Sequence, residues 1–214
     1  MMYTVKLIDK KIAKELVIKN HYSHKWTSCR YAIGLIYDKE VVGVAVYGFP
    51  IGRRVIKSIS YLLSNDDVLE LTRLWLRDEE PRNTESWFLG QTFKWLRRNT
   101  TILVLISYSD PMAGHVGIIY QATNWLYQGN NMMLVKGYLH RVNGEWLHPR
   151  TCVAKYGTIK RDKLLEIDTD YTRKPLKKKH RYIMILRKRD RKVILDNLKH
   201  PILSYPKSLA NSDW

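Results

Sequence analysis

The chain has 214 residues, 45% of them hydrophobic, and a formal net charge of +17 at pH 7. That length supports one well-buried core and is short for two, and no apolar run approaches the roughly 20 residues of a bilayer-crossing helix. The N-terminus lacks the apolar stretch of a secretory signal, and the two cysteines, Cys29 and Cys152, read as reduced buried thiols, so a soluble cytoplasmic protein is expected.

Alternation over residues 3–8 predicts a short first strand. Asp9 is placed to cap a helix over 10–20, with Ile12, Ala13, Leu16 and Val17 facing inward. A loop over 21–28 carries His21, Tyr22 and His24. The runs 30–37 and 40–47 predict an antiparallel hairpin turning at Asp38-Lys39. A strand is predicted over 69–76, then a polar connection over 78–84 and a helix over 86–98 with Phe88, Leu89, Phe93, Trp95 and Leu96 available for packing. The apolar run 101–107 reads as a buried strand that meets the turn pair Asp110-Pro111, and 115–127 is predicted as the helix that follows. Strands over 132–141 and 146–153 are expected to pair around Asn143-Gly144, and 182–186 closes the sheet.

Charge is uneven along this order. Residues 151–214 hold 17 Lys/Arg against 7 acids, a balance of +10, and within 173–192 there are 11 basic residues and one acid, Asp190. The apolar strand interrupts that run. Lys177, Lys178, Lys179 and Arg181 before it, and Arg187, Lys188 and Arg189 after it, are therefore expected to be pinned to the folded body as one positive surface. Fixed positive charge captures phosphate backbones through counterion release, so nucleic acid is the expected partner. No amphipathic helix with a strong apolar face accompanies the charge, which argues against a membrane. With no recognition-helix motif, phosphate contacts are expected rather than base-edge readout.

The densest signal lies over 107–129, where a buried strand runs into polar and aromatic residues: Asp110, Gly114, His115, Gly117, Tyr120, Trp125 and Tyr127. Open α/β sheets place ligands at such strand-to-helix junctions. The element order is that of the GNAT acyltransferase fold, a mixed sheet with helices on both faces, although other α+β folds can show the same order.

Ser109-Asp110-Pro111, Gly114-His115, Gly117, Tyr120 and Trp125 resemble the Mom proteins of bacteriophages, which modify adenine in DNA. His21-Tyr22-Ser23, Glu70-Leu71-Thr72-Arg73-Leu74 and Asn83 through Ser86 match upstream in the same order, and Lys179-His180-Arg181-Tyr182 downstream. The resemblance implies an α/β, GNAT-like single domain over 1–214, with the basic segment 173–214 completing the sheet and extending from it. It further implies conversion of adenine in double-stranded DNA to N6-carbamoylmethyladenine, which protects DNA from restriction. A homodimer is left open.

Each candidate site residue has a plain alternative. GNAT enzymes hold acetyl-CoA or a related donor at the start of the helix after the fourth strand, where unpaired N–H groups and the helix dipole favour anions. Here Arg82, Asn83, Thr84 and Ser86 stand there without the usual glycine-rich signature, and Thr84 or Ser86 could simply cap the helix. Arg73, on a predicted central strand, either forms an ion pair with Glu70 or Asp110 or holds a phosphate or carboxylate by its fork. The resemblance matches Arg73 to a residue the family needs for activity. Asp110 is a turn aspartate or, with Tyr120 ten residues on, a base or ligand. His21, Tyr22 and Asp110 supply N and O donors for the iron to which the family has been linked. Alternatively His21 is a base and Tyr22 stacks on the substrate. Plain acetyl transfer would give N6-acetyladenine, so the proposed product needs a further route. A non-catalytic nucleic-acid-binding protein and a conventional acetyltransferase are the competing classes.

Overall fold

The computed structural model describes residues 2–130 and 137–207. Its main sheet has seven strands in the order β1-β2-β3-β4-β5-β10-β6. These are β1 (Thr4–Leu7), β2 (Tyr31–Tyr37), β3 (Glu40–Gly48), β4 (Val68–Leu76), β5 (Val104–Ser109), β6 (Leu126–Tyr127) and β10 (His180–Ile185). Neighbours are antiparallel except β4 and β5, which run parallel.

Period-two alternation divides the sheet's two faces. On one, α1 (Lys10–Asn20) packs Ala13 and Val17 against Val44 and Val46, and α2 (Arg53–Lys57) places Ile56 over Val68, Val104 and Ile183. Asp9 caps α1 as expected, accepting from Lys11 N at 2.6 Å. On the other face, α3 (Thr84–Asn99) buries Phe88, Leu89, Phe93 and Leu96 against Leu69, Leu71 and Leu105. Trp125 is wholly buried beside Phe93, which makes it a packing residue.

The parallel pair positions the site. β4 and β5 pair only at Val68–Val104, Leu69–Leu105 and Glu70–Ile106. Past those residues β4 continues along β3 and β5 along β10, so the two strands part and the sheet splits at their C-terminal ends. A bulge between Val46 and Tyr47 in the β3–β4 ladder turns β4 at that level.

Two predicted elements are corrected. The helix expected over 115–127 is only α4 (Ile118–Ala122), followed by β6. Gly114 and Gly117 hold φ of +81° and +84°, and Asn124 holds +59°, left-handed geometry that stops a helix at both ends. The strand expected over 146–153 is β8 (Glu145–Leu147) followed by α5 (Pro149–Tyr156), because His148 caps Arg150 N and Pro149 opens the first turn. Its partner is β7 (Tyr138–Val142), and the predicted strand before Gly137 lies outside the described residues.

With β9 (Thr172–Pro175), these strands form a second sheet in the order β8-β7-β9, packed with α5 and α6 (Arg161–Ile167) around Val142, Leu147, Cys152, Leu164 and Tyr171. The basic C-terminal segment is therefore divided. β9 joins the small sheet, while β10 enters the main one between β5 and β6 and is followed by α7 (Arg191–Asp196). Both cysteines are free thiols.

Candidate active site

The split is bridged by one hydroxyl. Ser107 Oγ, on β5, lies 2.8 Å from the Leu71 carbonyl on β4 and 2.8 Å from the Tyr120 hydroxyl. A carbonyl only accepts, so Ser107 donates to Leu71 and Tyr120 donates to Ser107. Burial pushes the Tyr120 phenol up to about 12, so it stays protonated at neutral pH. Its ring sits between Trp125 and Tyr182, at 5.1 and 5.0 Å, which holds the hydroxyl at the base of the split. Tyr120 is thus a fixed donor and cannot serve as a base.

The loop after α1 reaches the same place. His21 is 7% exposed, and its ring lies 4.3 Å from that of Tyr22, which lies 5.0 Å from His115. Arg73 holds this loop. Its Nε donates to the Lys25 carbonyl at 2.9 Å and its Nη1 to the Thr72 carbonyl at 2.6 Å. Lys25 in turn donates to Thr151 Oγ1 at 3.1 Å, tying the loop to α5. The ion pair foreseen for Arg73 with Glu70 or Asp110 does not form. Backbone carbonyls take its place, and Glu70 and Tyr22 act on Arg73 only as nearby groups.

Asp110 pairs with Lys179 at 3.0 Å and accepts from Met112 N at 2.9 Å. The turn reading of this aspartate therefore holds together with a charged partner. Sequence reasoning did not place two groups here. Glu70 is largely withdrawn from water, which raises its carboxyl despite the Ile51 N–H, Arg73 and Lys179 around it. His148, the α5 cap, sits within the fields of Lys179, Lys25 and Asp110.

The His21 ring state follows from its bonds. Ser23 N–H points at Nδ1 at 3.1 Å, and a backbone N–H only donates, so Nδ1 accepts and the neutral ring carries its proton on Nε2. Burial, then Arg73, His115 and His24, push His21 down to about 4. A group depressed in the folded state is protonated first in the unfolded chain. This stabilising contribution is therefore full above pH 6.5 and is lost as pH falls toward 4. His21→Phe should abolish that part of the acid sensitivity. Urea midpoints at about pH 7 and about pH 5 would then fall less steeply for the variant than for wild type.

This tautomer does not suit the iron expected at His21, Tyr22 and Asp110. A histidine ligating through Nε2 carries its proton on Nδ1, where Ser23 N–H stands, and the Asp110 carboxylate is engaged by Lys179 and Met112. Among the described residues no three His, Cys, Asp or Glu side chains are grouped to hold a metal.

The start of α3 also differs from expectation. Neither Thr84 nor Ser86 caps it. Asn83 does, in left-handed geometry with φ of +69° and no side-chain bond, and Ser86 Oγ donates back to the Asn83 carbonyl at 3.0 Å. Arg82, Asn83 and Thr84, with Tyr3 and Trp87, line an open hollow there. The N–H groups of Glu85 and Ser86 have no partner among the described residues.

The basic residues do not form the single surface expected of them. Arg181 is 1% exposed, facing the α2 side of the sheet. Arg187 turns inward to the Thr100 carbonyl, and Arg189 pairs with Asp190. Lys177 through Lys179 precede β10 at the site end, whereas Arg187 through Arg189 follow it, about 20 Å away along the strand.

A mixed sheet split between two parallel strands, with a helix start and ionisable groups gathered at the split, defines a GNAT-like scaffold with a candidate active site. Similar solved structures include an N-acetyltransferase from Staphylococcus aureus Mu50, 11% identical with a TM-score of 0.47 over 87% of this chain and 100% of that one. Another is the ribosomal-protein-S18-alanine N-acetyltransferase from Escherichia coli, 8% identical with a TM-score of 0.47 over 86% and 94%. At such scores the fold stands on its own strand order.

Over residues 2–207 the sequence matches the Mom protein family, to which the chain belongs. The methylcarbamoylase mom of Escherichia phage Mu is 28% identical over 202 residues, covering 92% of this chain and 80% of that protein. No helix among the described residues is long and apolar enough to cross a membrane.

Proposed function

We propose that the protein modifies adenine in double-stranded DNA at N6, adding a carbamoylmethyl group, and so shields that DNA from restriction. One observation carries this reading. His21, Tyr22, Arg73, Asp110 and Tyr120, from separate stretches of sequence, converge on the split between β4 and β5. The chemistry demands a flipped base, because N6 is stacked and paired within a duplex; extrusion costs on the order of a few kcal/mol. Tyr22 is 57% exposed and meets the His115 ring at a tilt of 58°, an aromatic platform where stacking returns about 1–3 kcal/mol.

Adenine N6 is a weak nucleophile because its lone pair is delocalised into the ring. The Asp110 carboxylate, held by Lys179, is the group that accepts an N6 proton. His21, neutral with Nε2–H, donates to an oxygen gaining negative charge, and Arg73 adds its remaining N–H groups. Tyr120 supplies a fixed phenol from below. Glu70, largely withdrawn from water, is a second acceptor beside Arg73.

An acyl-coenzyme A type donor fits the start of α3. Arg82 and the unpartnered N–H groups of Glu85 and Ser86 would hold its phosphates beside Asn83 and Thr84. Such a donor would supply an activated acyl carbon: attack by N6 with loss of its proton would release the coenzyme A thiol and give an N6-acyl adenine. The carbamoylmethyl product would further require a nitrogen donor and a two-electron oxidant for the carbon joined to N6. Duplex contacts come from Lys177, Lys178 and Lys179 and from the small sheet, where Arg173 lies 4.2 Å over Tyr138 and Lys174 lies 4.2 Å over Trp146.

The test is mass spectrometry of nucleosides from a bacterial host expressing the protein. An adenine nucleoside heavier by a carbamoylmethyl group is expected. An acetyl increment would point to ordinary acyl transfer on an unusual acceptor, and unmodified DNA from folded protein would overturn the catalytic reading.

A further inference from the structure

Arg181 is a buried charge without a counter-charge. The ion pairs among the described residues all belong to other side chains. One guanidinium nitrogen, Nη1, donates to Ser58 Oγ at 2.9 Å, whereas Nε and Nη2 are buried with no partner. The strand cannot shift to release it. Arg181 pairs with Tyr108 on one side, and on the other its N–H reaches the Gly129 carbonyl at 2.9 Å while its own carbonyl takes Gln128 N at 3.0 Å. An isolated buried cation is among the least favourable arrangements in a protein interior.

Above this guanidinium lies an open hollow lined by Arg54, Lys57, Ser58, Lys199 and His200. Ser58 belongs to both, since it lines the hollow and accepts from Arg181. The walls are fastened to each other. Lys199 N donates to the Ile59 carbonyl at 2.9 Å, and Tyr61 donates to Asn197 Oδ1 at 2.7 Å. Lys57 is held by the Tyr61 and Leu63 carbonyls at 3.0 and 2.9 Å, so its charge is fixed in place. Arg54, Lys57 and Lys199 thus line one hollow, with Arg181 behind the lining Ser58, and none of the four is paired with an acid among the described residues. Burial, and after it the charges of Arg181 and Lys199, depress the proton affinity of His200.

Gln128 Oε1 is likewise buried without a partner, one residue past β6 and beside Arg181. A water between them would satisfy hydrogen bonds and leave the charge unanswered. A tetrahedral oxyanion answers the guanidinium, while the Gln128 oxygen, itself an acceptor, takes a donor such as that water.

We propose that this hollow is a phosphate-binding site with Arg181 as its floor, distinct from the catalytic split and independent of the reaction proposed there. The phosphate belongs either to the DNA backbone or to a soluble nucleotide-type molecule such as coenzyme A. The two sources share the same recognition chemistry.

Three proteins test it: wild type, Arg181→Met and Lys199→Ala. In thermal melts at fixed ionic strength, replacing chloride with inorganic phosphate should raise the wild-type Tm progressively and leave both variants nearly unmoved. Without phosphate, Arg181→Met should melt at or above the wild-type temperature, because the uncompensated charge is gone. Lys199 is exposed, so Lys199→Ala carries the test alone if Arg181→Met fails to fold. A backbone source predicts that the slope of log affinity for duplex DNA against log salt falls by about 0.9 in the variants, with coenzyme A binding unchanged. A soluble source predicts the reverse. Wild type without a phosphate-specific rise, or an equal rise in all three proteins, would overturn the site.

Discussion

Asp110→Asn is expected to lower turnover on DNA by about 10²–10⁴-fold while leaving duplex affinity close to wild type. The substitution is nearly isosteric. An amide oxygen can still accept from Met112 N, so the turn after β5 keeps its cap. What disappears is the charge paired with Lys179 at 3.0 Å and the capacity to accept a proton from an amine. Lys179→Met is the companion variant. It removes the partner and leaves the carboxylate, so it should retain more activity than Asp110→Asn. Single-turnover rates on duplex DNA, with binding measured separately, separate the two contributions. Turnover within a factor of two of wild type in Asp110→Asn would refute the role assigned to this carboxylate.

Gly117→Ala is expected to destabilise the protein by about 2–5 kcal/mol. A left-handed backbone costs a non-glycine residue roughly 1–2 kcal/mol, and overpacking a filled space costs about 1–3. Both apply here. Gly117 has φ of +84°, and an added Cβ would stand 2.5 Å from Tyr182 Cε2, 2.7 Å from Cζ and 2.9 Å from the hydroxyl oxygen. Tyr182 has little freedom to yield. Its hydroxyl donates to the Val116 carbonyl at 2.5 Å, and its ring lies between those of Tyr120 and Tyr127. Disturbing it moves Tyr120 and hence the Ser107 bridge across the split. The urea midpoint measures the loss. Adding Tyr182→Val to Gly117→Ala should cost less than the two single changes summed, because the clash is shared while the backbone penalty remains. An unchanged midpoint in Gly117→Ala would mean that Tyr182 moves aside freely.

Much of the framework is legible from local pattern. The β2–β3 hairpin, α1 with its Asp9 cap, α3 and β5 each carry several residues of consistent periodicity or apolarity, and burial follows that pattern closely except at Ile12 of α1, expected to face inward but 46% exposed. The short helices α2, α6 and α7 are not legible. They span five to seven residues, and none has a side-chain cap. A usable signal was present at α5, since proline after His148 marks a helix start better than a strand. At 115–127 the signal was Gly117 and Asn124, whose left-handed geometry outweighed the apolar spacing between them.

In the site, the residue types and their order along the chain point to His21, Tyr22, Arg73, Asp110 and Tyr120. Their roles depend on partners that local sequence does not specify. Asp110 meets Lys179 because the β5–β10 register sets His180 opposite Ser109, which brings the preceding lysine alongside the aspartate. Arg73 holds the loop through Lys25, 48 positions away, instead of forming the expected ion pair.

The sequence by itself determined the strong positive charge and the element order, which composition and local periodicity carry, and its ordered motifs carried the resemblance to the family. The tertiary structure decided where the sheet splits, which proton His21 carries, and that Arg181 faces inward while its lysine neighbours precede the strand at the site. Each of those depends on strand register and on which side chain a long-range neighbour places within hydrogen-bonding distance.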